Sequence, residues 1–249
     1  MINNKMILKI LVLLLAANMG FLFNNVLINA REKPVKPNNY SGKRPAPPKR
    51  IPPNKVKPGG GLDFSRQACT ENSKSLVALI PIDNPVSTTQ DFPSFLFYIP
   101  DQARNINHGE FSLFSADDKT RIYQTSIAFK NSPGIAKISL PSAPQYALEE
   151  GKSYHWYFQV FCRDNFETSV SLNIDGWVQR VPLTPTRKEM IEAGSSEIWY
   201  DSIVFIADNL INYPQSEEMQ LLWLKLLRYV NLEYLKEARI IETSTREQI

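Results

Sequence analysis

From Leu76 to Val181, apolar and polar residues alternate in short runs separated by turn residues, which is the period of β-strands. The predicted strands are Leu76 to Ile80, Ser94 to Ile99, Glu110 to Ser115, Ile122 to Phe129, Ile135 to Leu140, Ser153 to Phe161 and Ser169 to Ile174. Seven such strands in roughly 110 residues point to a sandwich. The polar break Asp117, Asp118, Lys119 makes Glu110 to Phe129 a hairpin. In the strand that starts at Ser153, Tyr154, Trp156, Phe158, Val160 and Cys162 share one face and form the candidate core face. His155, Tyr157, Gln159 and Phe161 share the other. Upstream, Leu148, the turn at Gly151 and Tyr154 have the order of a tyrosine corner.

After Pro182 the period changes from two to 3.6. Thr184 caps a first predicted helix with Pro185 in its first position, and Gly194 ends it. A second starts at a Ser195 or Ser196 cap, carries the stripe Trp199, Ile203, Ile206, Ala207 and Leu210, and stops at Tyr213 and Pro214. The third, from Ser216, carries Met219, Leu222, Trp223, Leu226, Leu227 and Val230 on one face. The two stripes are expected to bury against each other as an antiparallel pair, with the charged end from Lys236 to Ile249 fraying. A single unit with Trp199, Ala207 and Pro214 in tetratricopeptide-like order is not an array, so a helical cap on the sandwich is the reading taken. The expected fold is mainly β with α: an immunoglobulin- or fibronectin-like antiparallel β-sandwich at 62–182, followed by a packed helical segment at 183–249.

The N-terminus changes this picture by adding an address. Ile10 to Ala17 is apolar without a break, Lys5 and Lys9 precede it, and Ile28, Asn29, Ala30 supply a small final residue. Residues 1–30 therefore read as a secretory signal peptide, with an uncleaved anchor as the alternative. Between Arg31 and Gly61 stand nine Lys/Arg, one acid and eight prolines, a local charge of +8. With +2 on the first thirty residues and +3 on the whole chain, residues 62 to 249 carry −7. The strip 31–61 reads as a basic, proline-rich, disordered tether reaching roughly 90 Å at 3.1 Å per residue. Its charge suits a membrane surface, an acidic polymer or the chain's own acidic part. Nucleic acid is a poor fit, because Tyr40 is the one aromatic residue among the basic ones. Cys69 and Cys162 are the chain's two cysteines, and a periplasmic or extracellular location favours a disulfide over two buried thiols. Closing that loop contributes about 4 kcal/mol on the chain-entropy model.

Five blocks in order then resemble a known family: Leu76 to Pro81, Thr88 to Pro100, Gly151 to Trp156, Asp175 to Arg180 and Ile198 to Asp201. From about Gly60 to Ile241 the chain resembles the mostly cyanobacterial family called domain of unknown function 928. The resemblance implies exported proteins with a β-rich block and a helical tail, and no assigned activity. The chain departs from it at Ser195, Ser196 and Glu197, ahead of the Trp199 helix.

Chemistry is sparse. There is no Gly-x-Ser-x-Gly elbow, His-Glu-x-x-His helix, phosphate loop or calcium loop. His108, in the turn-like Asn107, His108, Gly109, and His155 are the only histidines, so no catalytic residue, metal ligand set or cofactor is assigned. Asp117 with Asp118 and Glu149 with Glu150 read as solvated turn acids, and Asp164 with Asn165 as at most part of a weak calcium site. Tyr98, His155, Tyr157 and Phe161 are expected to share an outward sheet face, which either receives the helices or grips a ligand. Trp177 is the binding candidate singled out: Gly176 permits a bulge that re-aims it, or it plugs the sandwich end. The expected function is an exported, non-enzymatic module with a protein partner in the cell envelope. The alternative is a sandwich that binds a glycan or small ligand. Oligomeric state is left open.

Overall fold

Alternation in the sequence becomes two facing sheets because each strand has one apolar face to bury. A computed structural model describes residues 54–57, 69–70, 74–83, 86–163, 171–241 and 243–245, all within the unit Lys49–Ile249. The signal segment, most of the tether, and Asp164 with Asn165 lie outside the described residues. One sheet has four strands in the order β1 (Val77–Ala78), β3 (Ser94–Ile99), β6 (Gly134–Ser139) and β9 (Ile240–Ile241). The other has six, in the order β10 (Thr243–Thr245), β5 (Arg121–Phe129), β4 (Ile106–Ser115), β7 (Ser153–Cys162), β8 (Ser171–Arg180) and β2 (Ser87–Thr88). Three helices follow: α1 (Pro185–Glu192), α2 (Trp199–Asn212) and α3 (Glu217–Tyr229). The chain is thus mainly β, with two mixed sheets and three helices toward the C-terminus.

The core face expected on β7 is the one observed: Tyr154, Trp156, Phe158, Val160 and Cys162 are all buried. Phe95 and Phe97 of β3 meet it from the opposite sheet, with Phe97 stacked on Phe158 at 4.2 Å and edge-on to Trp156 at 5.3 Å. Aromatic packing across the two sheets therefore forms the centre of the core. Cys162 bridges to Cys69 across 93 residues, with Cα atoms 5.3 Å apart. The Asp101 carboxylate holds the same corner by accepting from the Cys69 and Thr70 amides at 2.7 and 2.9 Å. Tyr154 completes a tyrosine corner, its hydroxyl accepting from the Glu149 amide at 2.9 Å.

Several expectations need correction. The sheets are mixed, since β2 pairs parallel with β8 and β9 parallel with β6. The last strand runs on from Ile174 to Arg180 with no register shift at Gly176, so Trp177 lies in the strand and not in a bulge. Gly176 is small for another reason: a Cβ there would lie 2.4 Å from the Trp156 ring. His108 stands within β4 and not in a turn, because β7 supplies a partner for that stretch. The serine cap on α2 is not used. Ile198 is the N-cap without a side-chain bond, while Ser195 Oγ accepts locally from the Glu197 amide. The expected caps at Thr184 and Ser216 do form.

The largest correction is at the two ends. The tail from Lys236, expected to fray, contributes Ile240–Ile241 to the four-stranded sheet and Thr243–Thr245 to the six-stranded one. It passes from one sheet to the other within six residues and joins that pair of edges. Gly134 leaves room for it, since a Cβ there would lie 2.3 Å from Ile241 Cγ2. Asn54 to Lys57, counted above with the tether, do the same on the opposite side. Lys55 pairs with Asp175 of β8, and Val56 O accepts from Ala78 N of β1 at 2.9 Å. Asn54 adds side-chain bonds to Pro81 O and from the Trp177 amide, both at 2.8 Å. The chain's own backbone thus bridges the two sheets on both sides, between β8 and β1 on one and between β6 and β5 on the other.

The helices cover the outer face of the four-stranded sheet, and three consecutive residues lock them there. Trp199 Nε1 donates to Leu79 O at 2.7 Å. The buried Tyr200 hydroxyl accepts from Trp156 Nε1 at 2.8 Å and donates to Trp177 O at 2.9 Å. Asp201 accepts from Thr88 Oγ1, the Thr89 amide and Thr89 Oγ1 at 2.5, 2.8 and 2.5 Å. Trp199 also lies 5.7 Å from Tyr229, so the start of α2 meets the end of α3, as an antiparallel pair requires. Removing a partner strands buried polar groups at about 1–3 kcal/mol each. Tyr200→Phe is therefore expected to cost about 2–4 kcal/mol and Asp201→Ala at least as much, read by urea denaturation. The exposed Tyr213→Phe should be neutral within about 0.5 kcal/mol, and equal losses for all three would refute this account.

Candidate functional site

Two surfaces carry chemistry that the core does not use. The first is the outer face of the six-stranded sheet, which the pairing of β4, β7 and β8 assembles row by row. His155 sits opposite Phe114 and Trp177, and Tyr157 opposite Ser112 and Asp175. Trp177 stacks on His155 at 4.1 Å with planes 7° apart, and Tyr157 leans on the same ring at 4.3 Å. His155 Nδ1 lies 2.9 Å from Asp118 Oδ1 and Nε2 lies 3.1 Å from Asp175 Oδ2. The Tyr157 hydroxyl lies 2.9 Å from Nδ1. Asp118 reaches the ring because it adopts φ 57° in the β4–β5 turn. The turn acids are therefore not merely solvated: one is tied to the strand two removed from its own hairpin partner.

Of the sequence candidates, Trp177, His155 and Tyr157 come together here, and Tyr98 does not. Tyr98 lies on the outer face of the opposite sheet, where the helical segment covers it. Burial, then the Asp101 charge, raises its hydroxyl above the ordinary tyrosine value. Phe161 stays on the His155 side but farther along, stacked on His108 at 4.4 Å. The helices do not cover this aromatic face, because the apolar positions they need lie on β1, β3 and β6. Trp177 is 6% exposed and His155 7%, so both support the face more than they present it. Asp118 and Asp175 were not singled out from sequence. Pairing β7 with β8 would have placed Asp175 beside Tyr157, but nothing local relates Asp118 to His155.

Chemically the cluster is a clamp. Its carboxylates sit on opposite nitrogens of one imidazole and cannot share an ion through it, and among the described residues no group of three or more His, Cys, Asp and Glu is placed to hold a metal. A histidine beside carboxylates meets half of what acid–base catalysis needs. The hydroxyl at its Nδ1 belongs to Tyr157, whose pKa is pushed up to about 12 by burial and then by the Asp118 and Asp175 charges. A hydroxyl that holds its proton so tightly is a poor nucleophile. His108 has Glu110 at 3.3 Å and Phe161 on its face, again a packed arrangement.

The second surface is a groove of about 830 Å³ between the end of α2, the first two turns of α3 and residues Lys236 to Ile240. Its walls include Leu210, Ile211, Leu221, Trp223, Leu224 and Ile240. Leu221 is 68% exposed and Ile211 53%, and Tyr213 stands exposed nearby. Single exposed apolar residues mean little, but several beside one concave surface make it a candidate contact site. Its one local signal in the sequence is that Leu221 and Leu224 lie off the stripe that packs inward.

Tyr157 makes the clamp measurable. Because its folded-state pKa exceeds the ordinary value of 10, its contribution to stability is intact below pH 10 and is lost as pH rises toward 12. The native protein should lose stability more steeply across that window than Tyr157→Phe, by urea titration at fixed pH. Parallel curves would show that Tyr157 is not held in this way.

Comparison with curated proteins and with solved structures finds no match. The model of the family described as Domain of Unknown Function (DUF928) matches residues 60–240. All five sequence blocks fall inside that span and meet in space around Trp156, Trp177 and Tyr200, so the chain belongs to this family.

Proposed function

We propose that this chain is an exported, non-enzymatic protein-interaction module of the cell envelope. The observation that carries the reading is the exposed apolar groove beside α3. A periplasmic or extracellular setting is supported by the N-terminal apolar segment with its lysines and by the Cys69–Cys162 disulfide. The basic strip that precedes the domain serves in this reading as a tether, free to settle on an acidic polymer or an anionic membrane. Among the described residues no helix is long and apolar enough to cross a membrane. We read the fold as an immunoglobulin- or fibronectin-like sandwich, completed by Asn54–Lys57 and by the tail strands β9 and β10, with the three helices as its cap. Supporting this are the neighbour orders β1-β3-β6 and β5-β4-β7-β8, the parallel β2–β8 pair and the Tyr154 corner. Capture from solubilised envelope fractions tests the function. The native chain should retain a partner that Leu221→Asp loses, with the melting temperature unchanged because Leu221 is exposed. Equal capture by both would place the contact elsewhere.

A second reading, glycan binding, is favoured by the open face of the six-stranded sheet. There Tyr157 and Phe114 pack edge to face at 5.6 Å, beside the Gln159–Asn173 amide pair at 2.7 Å. Aromatic faces flanked by fixed amides suit polyols. Retention of the native chain on a neutral polysaccharide column, abolished by Tyr157→Ala, would move the assignment to this reading. Unretarded elution would remove it.

A further inference from the structure

The outward face of α3 is complementary to itself. Glu217, Leu221, Leu224 and Arg228 are spaced i, i+4, i+7 and i+11, within about 60° of one another around the helix at 100° per residue. Glu217, Leu221 and Arg228 are exposed and Leu224 is half-buried, while Trp223, Leu226 and Leu227 face the core. The four positions are symmetric about a point between Leu222 and Trp223. Turned end for end, the stripe therefore lays Glu217 against Arg228 and Leu221 against Leu224, and then repeats both contacts. Gln220 and Lys225, flanking the stripe on either side, also exchange places.

We infer that α3 pairs antiparallel with α3 of a second copy of this chain, across a two-fold axis. This rests on the interaction reading above and names the partner of the same surface. Isologous contacts demand such self-complementarity: whatever one copy offers, the other must accept. Glu217 and Leu221 also line the groove, so the partner's leucines enter it against Leu210 and Ile211. Charge selects the direction, because a parallel arrangement would oppose Glu217 to Glu217 and Arg228 to Arg228. Lys236, Glu237 and Arg239 on the far wall are mixed in sign and favour neither direction. A helix of thirteen residues spans about 20 Å and buries less than the roughly 800 Å² per partner of a standard interface. The dimer is thus of the weak, reversible class.

Sedimentation equilibrium of the full chain, loaded up to about 1 mM, reads dissociation constants of that order. Glu217→Arg and Arg228→Glu should each weaken self-association about tenfold, because each turns two attractive rim pairs into repulsive ones. The double variant Glu217→Arg with Arg228→Glu should recover it. Leu221→Asp should abolish it without touching the charges at the helix ends. Far-UV circular dichroism and urea midpoints confirm that each variant is folded. A monomer at every concentration, or self-association that ignores the single charge changes or is not recovered in the double variant, overturns the pairing. If envelope capture still depends on Leu221 in that case, self-pairing alone falls and the interaction reading stands.

Discussion

The Tyr200 hydroxyl is the contact on which the arrangement of sheets and helices depends. It receives the indole proton of Trp156 from within the core and gives its own to the Trp177 carbonyl on the neighbouring strand. A fully buried hydroxyl loses its water, and both of its bonds must be replaced if the burial is not to be costly. The first turn of α2 is thereby fixed in orientation as well as position, because a rotation of the helix would strand all three groups. Burial holds the proton on this oxygen, raising its pKa far above the ordinary tyrosine value. Trp199 and Asp201, on either side, tie the same turn to Leu79, Thr88 and Thr89. The helix starts without a side-chain cap because its entry is held by the sheets.

Edges are the second constraint. Two sheets packed face to face leave four edges open, each with unpaired amides and carbonyls. Here the outermost strands are only two or three residues long, and backbone from both ends of the domain crosses between the sheets. On one side Asn54 to Lys57 pass between Asp175 and Ala78, and on the other the tail passes from Ile135 to Phe129. The glycines follow this geometry. Gly134 admits Ile241, and Gly176 admits the Trp156 ring beneath Tyr200.

These constraints divide the surface. The face of the four-stranded sheet is spent on the helices, which explains why Tyr98 is covered. The face of the six-stranded sheet stays open and carries the clamp of His155 between two aspartates. The outer side of the helical layer carries the groove and the self-complementary stripe. Strand alternation around Trp156 and the helical stripe around Trp223 were legible because each is a local period with one buried face. The caps at Thr184 and Ser216 were legible because a cap is a bond to the next few residues. Asp118, thirty-seven residues from His155, was not, since only the pairing of β4 with β7 brings that turn to that ring.

By itself the sequence determined the long strands and the three helices, the face of β7 that is buried and the two cysteines free to pair. These follow from periodicity, turn chemistry and composition, which act over a few residues at a time. Tertiary structure alone decided that the charged tail supplies strands to both sheets, that the end of the proline-rich strip bridges them, that Tyr98 parts from Tyr157, and that α2 begins uncapped. The physical reason is that segments of two or three residues have no period to read. Their hydrogen-bond partners lie dozens of residues away, and only the assembled sheets present the edges and the buried groups that require them.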